Sequence, residues 1–256
     1  MSERNFFEEF EFDLPAKLLE ELVKLFSEMP EGPLDAHSIR AVEEQQGVYQ
    51  LFNGGQLVYI GKTDSDAGLK NRLIRHARKI QGRQHLDACA VTFKAIRVFV
   101  FTAMDLESLL INHYKDKGLT IPWQNSGFGS NDPGRRRDTS EIKDGHFDAL
   151  YPIDLDFVVD GFKYGEARAV ADVLRWLKSN SPYLIRFETQ GRSRVPHPDL
   201  TATEVLVQQD VTTVREFLYV IKKALGAAWQ ITALPGYVII YKENSPGKYS
   251  SGLIIE

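Results

Sequence analysis

Five side chains able to bind an anion, transfer a proton or hold a cation follow one another along the chain: Tyr49, Tyr59, Arg72, His76 and Glu107. The two phenols fall in β-rich runs, residues 48–52 and 56–60, on either side of an Asn-Gly-Gly sequence that is a strong hairpin signal. Because one register step inverts every side chain of a strand, the register of this hairpin decides whether the phenols can act together.

Two registers are open to the hairpin. A three-residue loop pairs Tyr49 directly with Tyr59 and gives both phenols one face of the sheet, whereas a two-residue Asn-Gly turn pairs Tyr49 with Val58 and separates the phenols. The second glycine favours the longer loop, because glycine suits the left-handed position that such a loop contains. We therefore expect Tyr49 opposite Tyr59, although a single tyrosine in a strand more often serves packing alone.

Arg72 and His76 belong to a predicted helix over residues 67–80, where apolar residues recur at helical spacing. They lie one turn apart, beside the apolar stripe that contains Leu69 and Leu73, so both should project from the same edge of the helix. For an isolated pair of this kind, a solvated basic helix is the commoner explanation.

Glu107 lies in a further predicted helix, which a capping box at residues 102–105 opens and Gly118 ends. Its spacing from Leu110, Ile111 and Tyr114 puts the carboxylate at the edge of an apolar face, where an ionised group costs desolvation. A metal ion would offset that cost. The simpler alternative is a glutamate stabilised by the helix macrodipole.

Five short motifs thus occur in order: Gly47-Val48-Tyr49, Tyr59-Ile60-Gly61-Lys62-Thr63, Leu69-x-x-Arg72-Leu73-x-x-His76, Glu107, and Pro122-Trp123-Gln124-Asn125. This set resembles the motifs of the GIY-YIG nuclease superfamily, with valine in place of the usual isoleucine in the first motif. The run Gly127-Phe128-Gly129-Ser130-Asn131-Asp132-Pro133-Gly134 and, more weakly, residues 147–152 are similar to a Type II restriction endonuclease subgroup that cuts GC-rich palindromes. The resemblance covers roughly residues 10 to 152.

The resemblance implies a role for each matching residue. Tyr49 would act as general base on water with help from His76, while Arg72 and Tyr59 contact the scissile phosphate of double-stranded DNA. Glu107 would hold one divalent cation, Mg²⁺, with no organic cofactor. Lys62 would add a positive charge near Tyr49, and Asn125 would orient groups at the phosphate.

A free phenol has a pKa of about 10 and is a poor base at neutral pH. The implied role of Tyr49 therefore requires nearby cations to lower the pKa of its hydroxyl, and Lys62, Arg72 and the metal ion would do so.

The sequence as a whole predicts an α+β protein of three segments, which position these residues. Residues 1–46 form an aromatic arm (Phe6, Phe7, Phe10, Phe12) and a helix that begins at Asp13-Leu14-Pro15 and packs its stripe of Leu18, Leu22, Leu25 and Phe26 on the core. Residues 47–152 form a GIY-YIG nuclease domain with a small antiparallel sheet flanked by helices. Residues 153–256 form a β-α-β-β-α-β domain of unknown role, predicted as a ferredoxin-like sandwich.

The elements of that third segment are strands at residues 155–159, 183–188, 204–208, 230–234 and 237–242, and helices at residues 167–178 and 213–225. No chemistry is identified there.

The net charge of −4 is unevenly distributed. Residues 1–46 hold 12 acids against 4 bases, whereas residues 47–150 hold 15 bases against 11 acids, which suits contact with a phosphate backbone. The candidates for DNA binding are Arg75, Lys79, Asn131, Arg135, Arg136 and Arg137, since arginine matches the edge of guanine and the phosphate. A solvated surface is an equally good explanation of the three consecutive arginines.

The single cysteine, Cys89, excludes an internal disulfide and is expected to be a small buried residue. With no apolar stretch long enough to span a bilayer and an acidic N-terminus, we expect a cytoplasmic protein without membrane contact.

A palindromic site would match a homodimer on DNA. The alternatives are a GIY-YIG nuclease of repair or mobile-element type, and a DNA-binding module that has lost catalysis.

Overall fold

A computed structural model describes residues 11, 13–63, 68–99, 105–130, 134–191, 193–243 and 249–256. The chain forms two compact units, the first from residues 1–74 and 89–122 and the second from residues 75–88 and 123–256. Antiparallel strand pairs and helices occur in both units, so the α+β class is confirmed. The three segments predicted from sequence follow a different division from these two units, and the aromatic arm (Phe6, Phe7, Phe10 and Phe12) lies outside the described residues.

The first unit contains an antiparallel sheet with helices against it. Its elements are α1 (Leu14–Glu28), β1 (Gly32–Pro33), α2 (Ala36–Ile39), β2 (Gly47–Asn53), β3 (Gln56–Thr63), the first half of α3 (Leu69–Ile80), β4 (Val91–Arg97) and α4 (Leu106–Asp116). The strand order is β1-β4-β2-β3, and every pair is antiparallel. One core cluster joins α1 and α4 to the sheet face that carries Val48 and Ile60.

Helix α1 begins where the sequence predicts. Asp13 is its N-cap, and the Asp13 carboxylate accepts a hydrogen bond of 2.9 Å from the backbone N–H of Ala16. Leu22 and Phe26 are buried as expected, but Leu25 is 45% exposed. The buried stripe is centred between Leu22 and Phe26, and Leu25 lies about a quarter of a turn from that centre, so its assignment to the stripe was wrong.

Helix α4 begins later than the predicted capping box. Asp105 is the observed N-cap and accepts from the backbone N–H of Ser108, whereas Thr102 lies outside the described residues. The helix ends at Asp116, and Gly118 follows with a φ of 81°, in the left-handed region that glycine adopts most easily.

The second unit packs helices on a four-stranded sheet. Besides the second half of α3, it contains α5 (Phe147–Leu150), β5 (Ala167–Ala169), α6 (Val170–Asn180), β6 (Leu184–Phe187), α7 (Pro198–Ala202), β7 (Glu204–Leu206), α8 (Val214–Leu225), β8 (Trp229–Leu234), β9 (Tyr237–Lys242) and β10 (Leu253–Ile255). Apolar residues of α6 and α8 meet those of β6, β8 and β9 in one core cluster.

The ferredoxin-like prediction for residues 153–256 is wrong. That fold places its four strands in one sheet, but β7, at the predicted strand of residues 204–208, pairs with β5 in a separate two-stranded sheet, and the larger sheet has the order β10-β8-β9-β6. The predicted strand at residues 155–159 is reduced to an isolated bridge between Val158 and Thr213. The Val158 side chain is 52% exposed, whereas Leu155 and Val159 are buried in the core cluster, so the run packs on the core without forming a strand.

Cys89 is exposed, which contradicts its expected burial. It lies in a short 3-10 turn, Ala88–Ala90, that leads into β4 and has no buried residue. Among the described residues, no helix has the length and apolar character that a membrane span requires.

Replacement of the α8 cap tests the local analysis of helix ends. The Thr213 side chain accepts from the backbone N–H of Glu216, whose carboxylate accepts from the backbone N–H of Thr213. We expect Thr213→Ala to lower the free energy of unfolding by about 1 kcal/mol, because the cap is lost at a helix with a buried face. Urea unfolding measures this, with Thr201→Ala on the exposed side of α7 as control. An unchanged midpoint for Thr213→Ala would contradict the assignment.

Candidate active site

The hairpin of β2 and β3 places both phenols on one face of the sheet, by a route other than the predicted one. Tyr49 pairs with Gly61, and Leu51 pairs with Tyr59, so the phenols are diagonal neighbours rather than directly opposite. Their ring centroids are 6.1 Å apart. The expected shared face is therefore confirmed, and the expected direct pairing of Tyr49 with Tyr59 is wrong.

The turn and a β-bulge together produce this register. Asn53 pairs with Gln56 around a two-residue Gly54-Gly55 turn, and both glycines have positive φ, as type I′ turns require. A continuous ladder from this turn would put Tyr59 on the opposite face from Tyr49. The register shift between Leu51 and Phe52 adds one residue to β3 and restores the shared face.

Two motif glycines allow the close packing around Tyr49. A Cβ at Gly61 would overlap the phenol ring of Tyr49, and a Cβ at Gly47 would overlap the carbonyl oxygen of Ile96 and the side chain of Leu69 on α3. Only glycine leaves room for the Tyr49 ring over β3 and for α3 beside β2. The glycines of the first two motifs thus have a packing role.

Burial dominates the chemistry of Tyr49. The side chain is fully buried, and burial raises the pKa of its hydroxyl far above the ordinary value, with a smaller contribution from Tyr59. Arg72 opposes this shift without reversing it. The expectation that the protein's own cations lower the pKa of Tyr49 is therefore wrong in the absence of a metal ion, because desolvation outweighs the charge of Arg72.

Arg72 carries a donor that lacks an acceptor. Its Nε is buried and has no hydrogen-bond partner among the described residues, and the same holds for the buried Oγ1 of Thr63 at the end of β3. A buried donor left unsatisfied costs about 1–3 kcal/mol. An anion bound beside Arg72 would satisfy the guanidinium.

Glu107 lies in the first turn of α4 and is half-buried. Its carboxylate accepts a hydrogen bond of 3.1 Å from the backbone N–H of Lys62, and burial raises the pKa of the carboxyl group. The ammonium of Lys62 forms an exposed ion pair with Asp105 at 2.8 Å. Arg72 acts electrostatically on both Tyr49 and Glu107. The first unit thus brings Tyr49, Tyr59, Arg72 and Glu107 to one place.

His76 and Asn125 belong to the second unit. His76 is one turn beyond Arg72 on α3, is 1% exposed, and stacks on the ring of Phe128 with centroids 4.7 Å apart. Asn125 is exposed and has a φ of 62°, an uncommon conformation for a residue other than glycine. Phe128 also contacts Trp123 and Phe147, so the loop after Asn125 is held by an aromatic cluster.

Arg75 and Lys79, two predicted DNA contacts, bind the same loop. Lys79 Nζ donates to the carbonyl oxygens of Gly127 and Phe128 at 3.0 and 2.7 Å, and Arg75 donates to the carbonyl oxygen of Gly129 at 3.2 Å. Burial lowers the pKa of Lys79 to about 8. These contacts indicate a structural role for Lys79, because its ammonium is already engaged by two carbonyls.

The predicted arginine triplet is Arg135–Arg137, a single 3-10 turn. Arg135 forms a two-pronged ion pair with Glu188, at 2.8 and 3.0 Å, and stacks on Tyr241, whereas Arg136 and Arg137 are exposed. Asn131 lies outside the described residues.

Sequence reasoning missed a buried network in the second unit. Arg83 pairs with Asp148 at 2.8 Å and also donates to the carbonyl oxygen of Tyr151, and the His146 ring lies where a Cβ of residue 127 would be. Asp148 stands in the weaker motif of residues 147–152, which was the available signal. Within the described part of the chain, no three or more His, Cys, Asp or Glu side chains gather as a ready-made metal site.

A substitution at Gly61 tests the packing of the phenol. We expect Gly61→Ala to lower the free energy of unfolding by about 1–3 kcal/mol, because the new methyl group displaces the buried Tyr49 ring. Chemical denaturation measures the loss. Gly145→Ala is the matched control, since a Cβ there meets open space. Equal stability of the two variants would contradict the close contact.

Glu107→Gln tests the electrostatic cost of the buried carboxylate. A carboxyl whose pKa is raised on folding destabilises the fold once it ionises, and this cost is absent below the ordinary pKa of 4.5. We expect Glu107→Gln to be more stable than wild type at pH 7 without metal, and to lose this advantage as the pH falls below 4.5. Thermal unfolding across pH measures both. A less stable Gln variant at pH 7 would contradict the raised pKa.

Comparison with known proteins adds no relative to these observations: no family model matches the sequence, and no curated protein matches it.

Proposed function

We propose that this chain is a metal-dependent endodeoxyribonuclease that hydrolyses phosphodiester bonds of double-stranded DNA, a Type II restriction endonuclease with a GIY-YIG core. The supporting observation is the convergence, within the first unit, of two phenols, a guanidinium and a half-buried carboxylate. Packing alone does not call for this combination, because each of these polar groups pays a desolvation cost when buried.

The arrangement supplies what phosphodiester hydrolysis needs from protein groups. Charge on the phosphate must be stabilised, and the buried Nε of Arg72 has no acceptor in the described part of the chain and lies beside both Tyr49 and Glu107. Tyr59 adds a second hydroxyl on the same face of the sheet. An anion of phosphate size is a ligand that would give the Arg72 guanidinium an acceptor.

The residues present fit a hard divalent cation such as Mg²⁺. Glu107 would hold it, and burial makes the charge of this carboxylate costly until a cation arrives. One carboxylate suffices for magnesium, which keeps several waters and takes further ligands from phosphate. When bound, the ion would neutralise charge on the phosphate and its leaving oxygen. Asp105 is committed to Lys62 and contributes to the position of that lysine.

Tyr49 carries its proton at neutral pH in the metal-free protein, because burial raises the pKa of the hydroxyl. It can accept a proton from water only after losing its own. Arg72 is the cation of this unit that favours the phenolate. The proposal therefore requires the electrostatic environment of Tyr49 to become more positive when DNA and metal bind, and it keeps His76 and Asn125 as predicted partners.

Digestion of unmethylated phage DNA in the presence of Mg²⁺ tests the function directly. Discrete fragments whose sequenced ends share one palindromic site would support a restriction endonuclease, and a palindromic site fits a homodimer on DNA. Cleavage restricted to branched or flapped substrates would favour the repair type instead. Absence of any cleavage would overturn the proposal.

Two substitutions test the residue assignment. We expect Glu107→Ala and Tyr49→Phe each to lower the rate of cleavage by about 1000-fold or more, because each removes a group that acts on the reacting atoms. Binding of duplex DNA, measured by fluorescence anisotropy in EDTA, should stay within about threefold of wild type.

Matched controls separate this effect from general damage. Asp116→Ala removes another acidic side chain from α4, and Tyr219→Phe removes an exposed hydroxyl from α8, and both should cut at the wild-type rate. A Glu107→Ala or Tyr49→Phe protein that cuts as fast as these controls would refute the assignment.

A further inference from the structure

A broad cavity lies entirely within the second unit. It has a volume of about 1020 Å³, and among its lining residues arginine and lysine outnumber aspartate and glutamate by seven to three. Pockets for small molecules need only a few well-placed polar groups, whereas ten charged side chains line this cavity. The charge of this cavity instead suits a polyanion.

Two of the three carboxylates that line the cavity are neutralised from within the fold. Asp148 is paired with Arg83, and Asp138 accepts hydrogen bonds from Arg186 at 2.6 and 3.2 Å and from the hydroxyls of Tyr237 and Tyr241 at 2.7 and 3.1 Å. Arg186 is outside the lining, so its charge comes in addition to the lining cations. The cavity therefore keeps its excess of positive charge.

Five of the seven lining cations fall into two groups. Arg78 and Lys79 donate to backbone carbonyl oxygens, which satisfy the donors but leave the charges in place. The side chains of Arg137, Lys143 and Lys178 are exposed and form no hydrogen bond or ion pair with any described residue. These three side chains are available to an anion from solution.

The turn that carries Arg137 is fixed at both ends. Arg135 is held by Glu188 and the ring of Tyr241, and Asp138, which follows the turn, is 2% exposed and bound by Arg186. Anchors of this kind limit the conformational entropy that Arg137 would lose on binding. The arginine triplet thus contains one arginine in an ion pair and two whose side chains have no partner among the described residues.

We propose that Arg137, Lys143 and Lys178 form a contact site for the phosphate backbone of duplex DNA, separate from the catalytic residues of the first unit. This inference rests on the proposed function for the identity of the polyanion. The flexible stems of the two lysines let their ammonium groups adjust to successive phosphates of a strand. The three contacts would hold the substrate irrespective of sequence, because phosphates carry no sequence information directly.

The salt dependence of DNA binding tests the site without cleavage. Affinity for a short duplex is measured in EDTA over a range of salt concentrations for wild type, for each of Arg137→Gln, Lys143→Gln and Lys178→Gln, and for the triple variant. Each lost phosphate contact should reduce the slope of log affinity against log salt by about 0.9, so the triple variant should lose about 2.7. Lys223→Gln, an exposed lysine of α8 outside the cavity, should leave the slope unchanged.

Three outcomes would overturn the inference: an unchanged slope in the triple variant, an equal loss in Lys223→Gln, or a wild-type chain that binds no duplex. Inorganic phosphate serves as a further probe. If it raises the thermal midpoint of wild type but not of the triple variant while the DNA slopes agree, the cavity binds small anions and not DNA. Cleavage in Mg²⁺ is scored separately, so a chain that binds through these residues but never cuts would refute the proposed function alone.

Discussion

Contact between the Tyr49 ring and the backbone of Gly61 is the constraint on which the first unit depends. The ring can lie over β3 only because residue 61 has no Cβ, and it reaches that position only because the bulge in β3 shifts the register after the turn. Gly47 similarly lets Leu69 of α3 approach β2. Arg72 follows on the same helix, so two glycines and one extra strand residue determine where the guanidinium meets the phenols.

The same packing buries polar groups of the first unit, and their desolvation costs free energy. Tyr49 is fully buried, the pKa of Glu107 is raised by burial, and Arg72 Nε is buried without an acceptor among the described residues. A fold selected for stability alone would replace such groups or supply an acceptor for the guanidinium. Their coexistence at one place is explained if ligands bind there, with an anion at the guanidinium and a cation at the carboxylate.

Features that depend on residues close in sequence were predicted correctly, whereas features that depend on residues distant in sequence were not. Asp13 and Gly118 marked helix ends correctly, because capping depends on residues within one turn. The register of the hairpin was predicted wrongly, because a bulge at Val58 depends on packing across the sheet and has no marker in the strand itself. Likewise, the run at residues 155–159 has the composition of a strand but finds no partner strand, which only the tertiary fold decides.

For the candidate site, the sequence predicted which residues come together but not their surroundings. Motif order identified Tyr49, Tyr59, Arg72 and Glu107, which the first unit brings together, but it could not reveal that burial would raise the pKa of Tyr49. The distribution of charge also made Lys79 a candidate for DNA binding, whereas its Nζ is bound to the carbonyls of Gly127 and Phe128. A count of charges does not distinguish bound cations from available ones, since that depends on partners distant in sequence.

A cation can be held by hydrogen bonds without losing its charge. For this reason the cavity of the second unit can be lined by anchored side chains and still be positively charged. A carbonyl oxygen satisfies an ammonium donor without cancelling its charge, so Lys79 can hold a loop and still contribute to the field of the cavity. A carboxylate does both, as Glu188 does for Arg135 and Asp148 for Arg83. Several of the lining cations donate to carbonyl oxygens instead. These hydrogen bonds hold the side chains in place and leave the positive potential that a polyanion would require.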